Sequence, residues 1–295
     1  MNFLITGATG FIGRHLTDQL TQKGHQIYAL TRSPNKYEDK DHVTYLSYDV
    51  NPKELPTIHG VINLAGESLS GYWTNAKQKE IRYSRIEVTR HIVRLVQQLK
   101  ERPKVFINGS AVGYYGTSTE MIFTEQTIET GDDFLSSVVV DWENEAKQIE
   151  STGIRTIYAR FGIVLGKNEG SLPLMELPVK LFVGGKIGDG EQWISWVHVE
   201  DAARLLSFCL FEETIKGPVN ITAPAPKRNK DFYQTLARVY KRPLWLPVPR
   251  LFMRIALGEM SEIITKGQFV YPKKAIDCGF TFHYPKLPEA LASLR

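Results

Sequence analysis

Three glycines at spacings of three and three, in Thr6-Gly7-Ala8-Thr9-Gly10-Phe11-Ile12-Gly13, follow the apolar run Asn2 to Thr6 and open a helical pattern. Few features restrict a chain so strongly. Gly7 permits a sharp strand-to-helix turn, Gly10 lets backbone approach a pyrophosphate, and Gly13 lets the helix pack on the strand. The amino end of that helix, with Thr9, Phe11 and Ile12, offers unpaired N–H groups to phosphate. The glycine spacing alone is weak evidence, but the strand before it and the helix after it make it a dinucleotide turn.

The second predicted strand, Gln26 to Thr31, runs into Arg32 and Ser33, and no acid occurs after it before Glu38. A site for the unphosphorylated dinucleotide would carry a carboxylate near here for the adenosine ribose. Arg32 instead suits a 2′-phosphate, with Thr31 and Ser33 adding hydroxyls, so NADP(H) is the expected cofactor. Asp49, after the third strand, is either a partner for the adenine amino group or a plain turn residue. Leu64-Ala65-Gly66 ends the fourth strand with small residues that can lie against the cofactor ribose.

Strand-like runs at Val43 to Tyr48, Val61 to Leu64, Val105 to Asn108 and Ile154 to Arg160 alternate with helical stretches near 74–100 and 134–151. This rhythm predicts an α/β fold, a Rossmann doubly wound parallel sheet with helices on both faces. From residue 166 onward glycine and proline punctuate the chain. The expected division is therefore 1–165, an NADP-binding Rossmann domain, and 166–295, a smaller substrate-side lobe. Lys plus Arg number 36 and Asp plus Glu 32, a net +4 without a basic stripe, which gives no reason to expect nucleic acid. Cys209 and Cys278 stand apart, and two such cysteines make no metal site and no disulfide framework. With no apolar run of about 20 residues and no leader pattern, no membrane association is expected and a cytoplasmic location is.

Several further segments are more distinctive than the glycine turn. They are Asn63-Leu-Ala-Gly-Glu67, Trp73-Thr74, Ser84-Arg85-Ile86 with Thr89, and Ser110-Ala-Val-Gly-Tyr-Tyr-Gly116. Beyond them come Arg160-Phe-Gly-Ile-Val-Leu-Gly166, Gly184-Gly-Lys-Ile-Gly188, Trp196-Val-His-Val-Glu-Asp201 and Gly217-Pro-Val-Asn-Ile-Thr-Ala-Pro224. Together with the first turn they resemble the extended short-chain dehydrogenase/reductase superfamily, which includes nucleotide-sugar epimerases. More narrowly, they resemble bacterial epimerase family proteins with an uncharacterised carboxy-terminal domain, here about 246–293. The resemblance implies that Glu80 and Arg85 serve NADP binding, with Glu80 orienting a ribose hydroxyl or pairing with Arg85. It also places Ile163 near the nicotinamide and leaves room for a homodimer.

Most of that superfamily carries Tyr-x-x-x-Lys, in which lysine one helical turn away lowers the tyrosine pKa for proton transfer. None of the 13 tyrosines here has a lysine four places on. Ser110 stands where the superfamily's substrate-binding hydroxyl belongs, and Tyr114 and Tyr115 are the nearest phenols, placed there for proton transfer or for aromatic packing. Trp142-Glu143 occupies the helix of the missing pair and reads as helix packing plus a surface or pocket carboxylate. His198, in an apolar run, reads as a hydrogen-bonded core residue. Gln192 and Trp193, ending a glycine-rich loop, are the expected substrate contacts. These residues lead to an NADP-dependent oxidoreductase or epimerase-like protein acting on a small carbonyl, alcohol or sugar-nucleotide substrate. The alternative is a non-catalytic NADP-binding regulatory or redox-sensing protein.

Overall fold

A computed structural model describes residues 1–67, 71–244 and 247–295. Strand β1 (Asn2–Thr6) lies inside a parallel sheet, where Phe3, Leu4 and Ile5, apolar on both faces, are enclosed. Helix α1 (Phe11–Gln22) buries Gly13, Leu16, Thr17 and Leu20, one stripe at helical spacing. Strands β2 (Gln26–Thr31), β3 (Val43–Ser47) and β4 (Gly60–Asn63) follow. Helix α2 (Asn75–Gln97) is capped by Thr74, whose hydroxyl accepts the Lys77 N–H at 3.2 Å. Strand β5 spans Val105–Ala111, and helix α3 (Phe134–Lys147) is capped by Asp133 accepting the Ser136 N–H at 2.8 Å.

Strand β5 extends three residues past the Asn108 expected from the sequence. The reason is lateral: β6 (Arg155–Phe161) pairs in register along its whole length, setting Ser110 beside Arg160 and Ala111 beside Phe161. Hydrophobic patterning ends at Asn108, but the backbone ladder does not.

The chain continues through β7 (Ile163–Gly166), α4 (Leu172–Lys180), β8 (Trp196–His198), α5 (Val199–Phe211), β9 (Gly217–Ile221) and α6 (Asn229–Tyr240). Among the described residues the main sheet has seven parallel strands in the order β9-β6-β5-β4-β1-β2-β3. The order reverses between β1 and β4, and ligands of such sheets bind at the carboxyl ends flanking that reversal. Helices α1 and α5 cover one face, while α2 and α3 cover the other. Residues beyond 166 thus serve both layers, since β9 completes the sheet and α5 packs on α1.

A second core gathers Leu172, Met175, Trp196, Phe232, Leu236 and Leu291 around β7 and β8. Asp201 does more than favour the helix dipole. It is wholly buried in the first turn of α5, accepts the backbone N–H groups of His283 at 2.8 Å and Tyr284 at 2.7 Å, and pairs with Arg204. The carboxy-terminal tail is thereby anchored to α5. Among the described residues no helix is long and apolar enough to cross a membrane.

Candidate functional site

The three glycines of the first turn do different work. Gly7 has φ +69°, and a Cβ there would lie 2.8 Å from the Leu64 carbonyl carbon, so the turn after β1 sits against the backbone leaving β4. At Gly13 a Cβ would come within 2.0 Å of the Gly7 oxygen, which makes the residue obligatory for seating α1. Gly10 is different. A methyl there would meet only the Gly7 oxygen, at 3.2 Å, so the protein itself hardly requires glycine. The amino end of α1 has neither a side-chain cap nor a first-turn acid. An open Gly10 beside such a helix end fits a pyrophosphate, and the missing acid avoids repulsion. Thr9 and Ile12 belong to the same turn, whereas the Phe11 ring lies against Gly166 and Gly170 and ties the turn to β7.

At the tip of β2, Arg32 is exposed and has no carboxylate partner among the described residues. The Ser33 N–H reaches the Thr31 hydroxyl at 3.4 Å, while Asp49 is exposed and takes a 3.4 Å contact from the Ser47 hydroxyl. After β4, the Ala65 N–H donates to the Thr6 hydroxyl at 3.1 Å, holding Leu64-Ala65-Gly66 beside the glycine turn. Arg85 lies under that segment, donating to the Glu67 carbonyl at 3.1 Å and the Ile81 carbonyl at 3.0 Å, with its guanidinium over the Trp142 ring. Burial lowers its pKa to about 10. Glu80 does not meet Arg85. It pairs with Lys77 at 3.1 Å on the exposed surface of α2. Ile163 is half-buried beside Trp196, its N–H bonded to the Ser195 carbonyl at 2.8 Å.

A buried polar chain links these strand ends. Thr6 donates to Asn63 at 2.6 Å, and the Asn63 amide donates to Asn108 at 2.7 Å and Thr89 at 2.8 Å. The Trp142 indole donates to Thr89 at 2.9 Å. Every link satisfies a group that would otherwise be costly to enclose.

Two residues past Asn108, the Ser110 hydroxyl donates to Glu143 Oε1 at 2.5 Å. Arg160 binds the same carboxylate twice, Nε to Oε1 at 2.8 Å and a terminal nitrogen to Oε2 at 2.8 Å. All three are buried, at 3%, 8% and 3% exposure for Ser110, Glu143 and Arg160. Burial alone would lower the Arg160 pKa, but the paired carboxylate outweighs it and holds the guanidinium above its ordinary value. The remaining Arg160 terminal nitrogen is buried without a partner. A cavity of about 350 Å³ is lined by Glu143 and Arg160 together with Tyr114, Lys147, Glu150 and Tyr158.

The NAD-dependent epimerase/dehydratase family matches residues 3–222, and the domain of unknown function DUF1731 matches 248–294. The chain belongs to that epimerase/dehydratase family. It is 51% identical over 297 residues to the Bacillus subtilis epimerase family protein YfhF, covering 100% of this chain and 98% of that one. An epimerase family protein of Staphylococcus haemolyticus is 42% identical over 294 residues, covering 99% and 98%. The crystal structure of human epimerase family protein SDR39U1 with NADPH superposes with a TM-score of 0.91 at 30% identity, covering 100% of this chain and 99% of that one.

Within this epimerase/dehydratase chain the two phenols expected near the chemistry are already engaged. Tyr114 stacks its ring 3.4 Å from the Arg160 guanidinium carbon, and Tyr115 donates its hydroxyl to Asn220 at 2.8 Å. Burial pushes the Tyr115 phenol up to about 12. Of the expected substrate contacts, Gln192 is buried, its amide nitrogen donating to the carbonyls of Ile187 at 3.2 Å and Ile264 at 3.1 Å. Trp193 is half-buried, under the Arg228 guanidinium and with its indole donating to the Thr119 carbonyl at 3.0 Å. His198 is a core residue. It caps α5 through a 3.1 Å bond from the Glu200 N–H, stacks on Tyr284, and is held by burial down to about 4.

Sequence reasoning passed over the pairing of Glu143 with Ser110 and Arg160. One signal was available: a helix that lacks Tyr-x-x-x-Lys yet faces the serine-bearing strand must place something opposite that serine.

Proposed function

We propose that the protein binds NADP(H) and uses it for hydride transfer to or from a small carbonyl or alcohol, with sugar nucleotides among the candidate substrates. Arg32 carries the reading: an exposed guanidinium at the tip of β2, without a carboxylate partner among the described residues, beside a glycine turn open at Gly10. Backbone N–H groups of the turn through Gly13 would hold the pyrophosphate. Arg32, Thr31 and Ser33 would hold the 2′-phosphate, Asp49 would face the adenine, and Leu64 to Gly66 would border the ribose above Arg85. Bound dinucleotide supplies the hydride chemistry. The protein's part is orientation. Ser110 bonds the substrate oxygen, Ile163 borders the nicotinamide, and Trp193 closes the substrate side. The NADPH-bound human relative supports the phosphorylated cofactor.

Calorimetry with NADPH and NADH tests the cofactor. Wild type is expected to prefer NADPH, and Arg32→Ala to lose roughly 1.5–3 kcal/mol of NADPH affinity with little change for NADH. Equal losses would remove Arg32 from the site. A screen of aldehydes, ketones and sugar nucleotides for NADPH oxidation tests the chemistry, with Ser110→Ala expected to abolish whatever turnover is found.

A second reading, a non-catalytic NADP-binding regulator or redox sensor, is favoured by one observation. Tyr115 donates to Asn220, and Tyr114 lays its ring on Arg160 with its hydroxyl directed at the Ile128 carbonyl 3.5 Å away, so neither phenol is set beside Ser110 by a hydrogen bond among the described residues. Tight NADPH binding with no turnover across the panel would select it.

A further inference from the structure

We propose that Ser110, Glu143 and the cavity behind Glu143 form a proton path that does the work of the missing Tyr-x-x-x-Lys pair, with Arg160 as its positioning residue. The inference rests on the hydride-transfer reading above.

The geometry has the required polarity. The Ser110 O–H already points at Glu143 Oε1 at 2.5 Å, so the serine oxygen presents its lone pairs, not its proton, to a substrate alcohol. In alcohol oxidation the substrate O–H bond breaks and its proton goes to the Ser110 oxygen, while the Ser110 proton goes to Glu143 Oε1. The substrate C–H bond breaks with its electron pair, which leaves as hydride to an oxidised nicotinamide dinucleotide, and the C=O bond forms. The sum is alcohol plus oxidised dinucleotide giving carbonyl, reduced dinucleotide and one proton, now on Glu143. Carbonyl reduction runs the same path backwards.

That proton needs an outlet, and Glu143 is enclosed on the Ser110 side. Glu143 also lines the cavity of about 350 Å³, together with Arg160, Tyr158, Lys147 and Glu150. The cavity is open to solvent, so water there can take up the proton. Glu143 therefore meets Ser110 and also borders the cavity, and is the one carboxylate touching Ser110 among the described residues. Arg160 does not take up the proton in this scheme, although its Nε donates to the accepting Oε1 at 2.8 Å. Its two bonds fix the rotation of the carboxylate so that Oε1 stays on the serine, and the Tyr114 and Tyr115 rings hold the guanidinium between them.

The groups facing Glu143 are Ser110 of β5, Tyr114 of the turn after it, and Tyr158 and Arg160 of β6. Lys147 and Glu150 stand at the end of its own helix, and Glu125 lies across the cavity. A loss of rate assigned to Glu143 must therefore appear in its own variant and be absent in Tyr158→Phe.

The test has two arms on the full chain. The first needs no cofactor. Infrared difference spectra of wild type minus Glu143→Gln isolate the Glu143 carboxylate bands, and Ser110→Ala is expected to shift them while Ser110→Thr retains them. Bands unmoved by Ser110→Ala overturn the coupling. The second arm uses NADP+ and whichever alcohol of a primary and secondary panel wild type oxidises. Glu143→Gln is expected to lower kcat by roughly 100-fold or more and leave NADPH affinity unchanged, with Glu143→Asp recovering part of the rate. Wild-type kcat in Glu143→Gln would overturn the path while sparing the NADP(H) reading. No turnover by wild type on any alcohol overturns the hydride-transfer reading and the path with it. If Glu143→Gln does not fold, Ser110→Ala against Glu143→Asp supplies both the spectral and the kinetic comparison.

Discussion

The glycine cradle and the Ser110 cluster sit at the carboxyl ends of one sheet, with β4 between them, yet they are made of different materials. The cradle is backbone: a turn, a helix end and glycines whose absent side chains create room. Its parts lie within one short stretch of chain, and any sequence that supplies the turn supplies the function. The cluster is side chains, with Glu143 lying 33 residues from Ser110 and 17 from Arg160, and each buried polar atom depends on the others. The difference teaches that a turn made of backbone is written into a few consecutive residues, while a buried side-chain cluster exists only once the fold has brought three separate segments together.

The largest expected effect comes from breaking the cluster. Arg160→Met leaves the buried Glu143 carboxylate uncompensated and should cost about 3–5 kcal/mol in urea unfolding. A loss no greater than that of a surface arginine would mean the ion pair is no part of the core.

In the cradle, Gly13→Ala forces a methyl against the Gly7 oxygen. A loss of roughly 1–3 kcal/mol is expected, although alanine is the better helix former. Unchanged stability would show that α1 can slide on β1.

Alkaline titration sharpens the contrast from the cluster side. Burial raises the Tyr115 phenol from 10.0 to about 12, so the folded state keeps a proton that the unfolded chain releases. Its contribution to stability is therefore whole below pH 10 and lost as pH climbs through 12. In the phenolate absorbance of the folded protein, Tyr115→Phe should leave the curve unchanged up to about pH 11 and remove amplitude only above it. Loss of an earlier-titrating phenol would place Tyr115 in contact with solvent and restore it as a proton donor.

The smallest stability effect belongs to Gly10→Ala, expected within about 0.5 kcal/mol, because its methyl meets one oxygen at 3.2 Å. NADPH affinity should nevertheless fall at least tenfold in calorimetry. If affinity holds, the pyrophosphate does not pass over this turn.

Much of the architecture was legible in advance. The β1, α1 and β2 segments announce themselves through apolar runs and glycine spacing, both local properties. The elements that escaped were lateral. Strand β5 runs on to Ala111 because β6 lies beside it, β9 joins the sheet from beyond residue 166, and Asp201 anchors a tail more than eighty residues away. Glu80 and Gln192 show the same limit from the other side. The fold sets Glu80 beside Lys77 rather than Arg85, and rests the Gln192 amide nitrogen on two backbone carbonyls.

The order of residues alone determined that this chain builds a parallel sheet with a glycine turn after its first strand, since periodicity and missing side chains act over a few residues. Only the tertiary structure decided what faces Ser110. In-register pairing of β5 with β6 sets Arg160 beside it, α3 crossing the same face delivers Glu143, and burial away from water then binds the three into one unit.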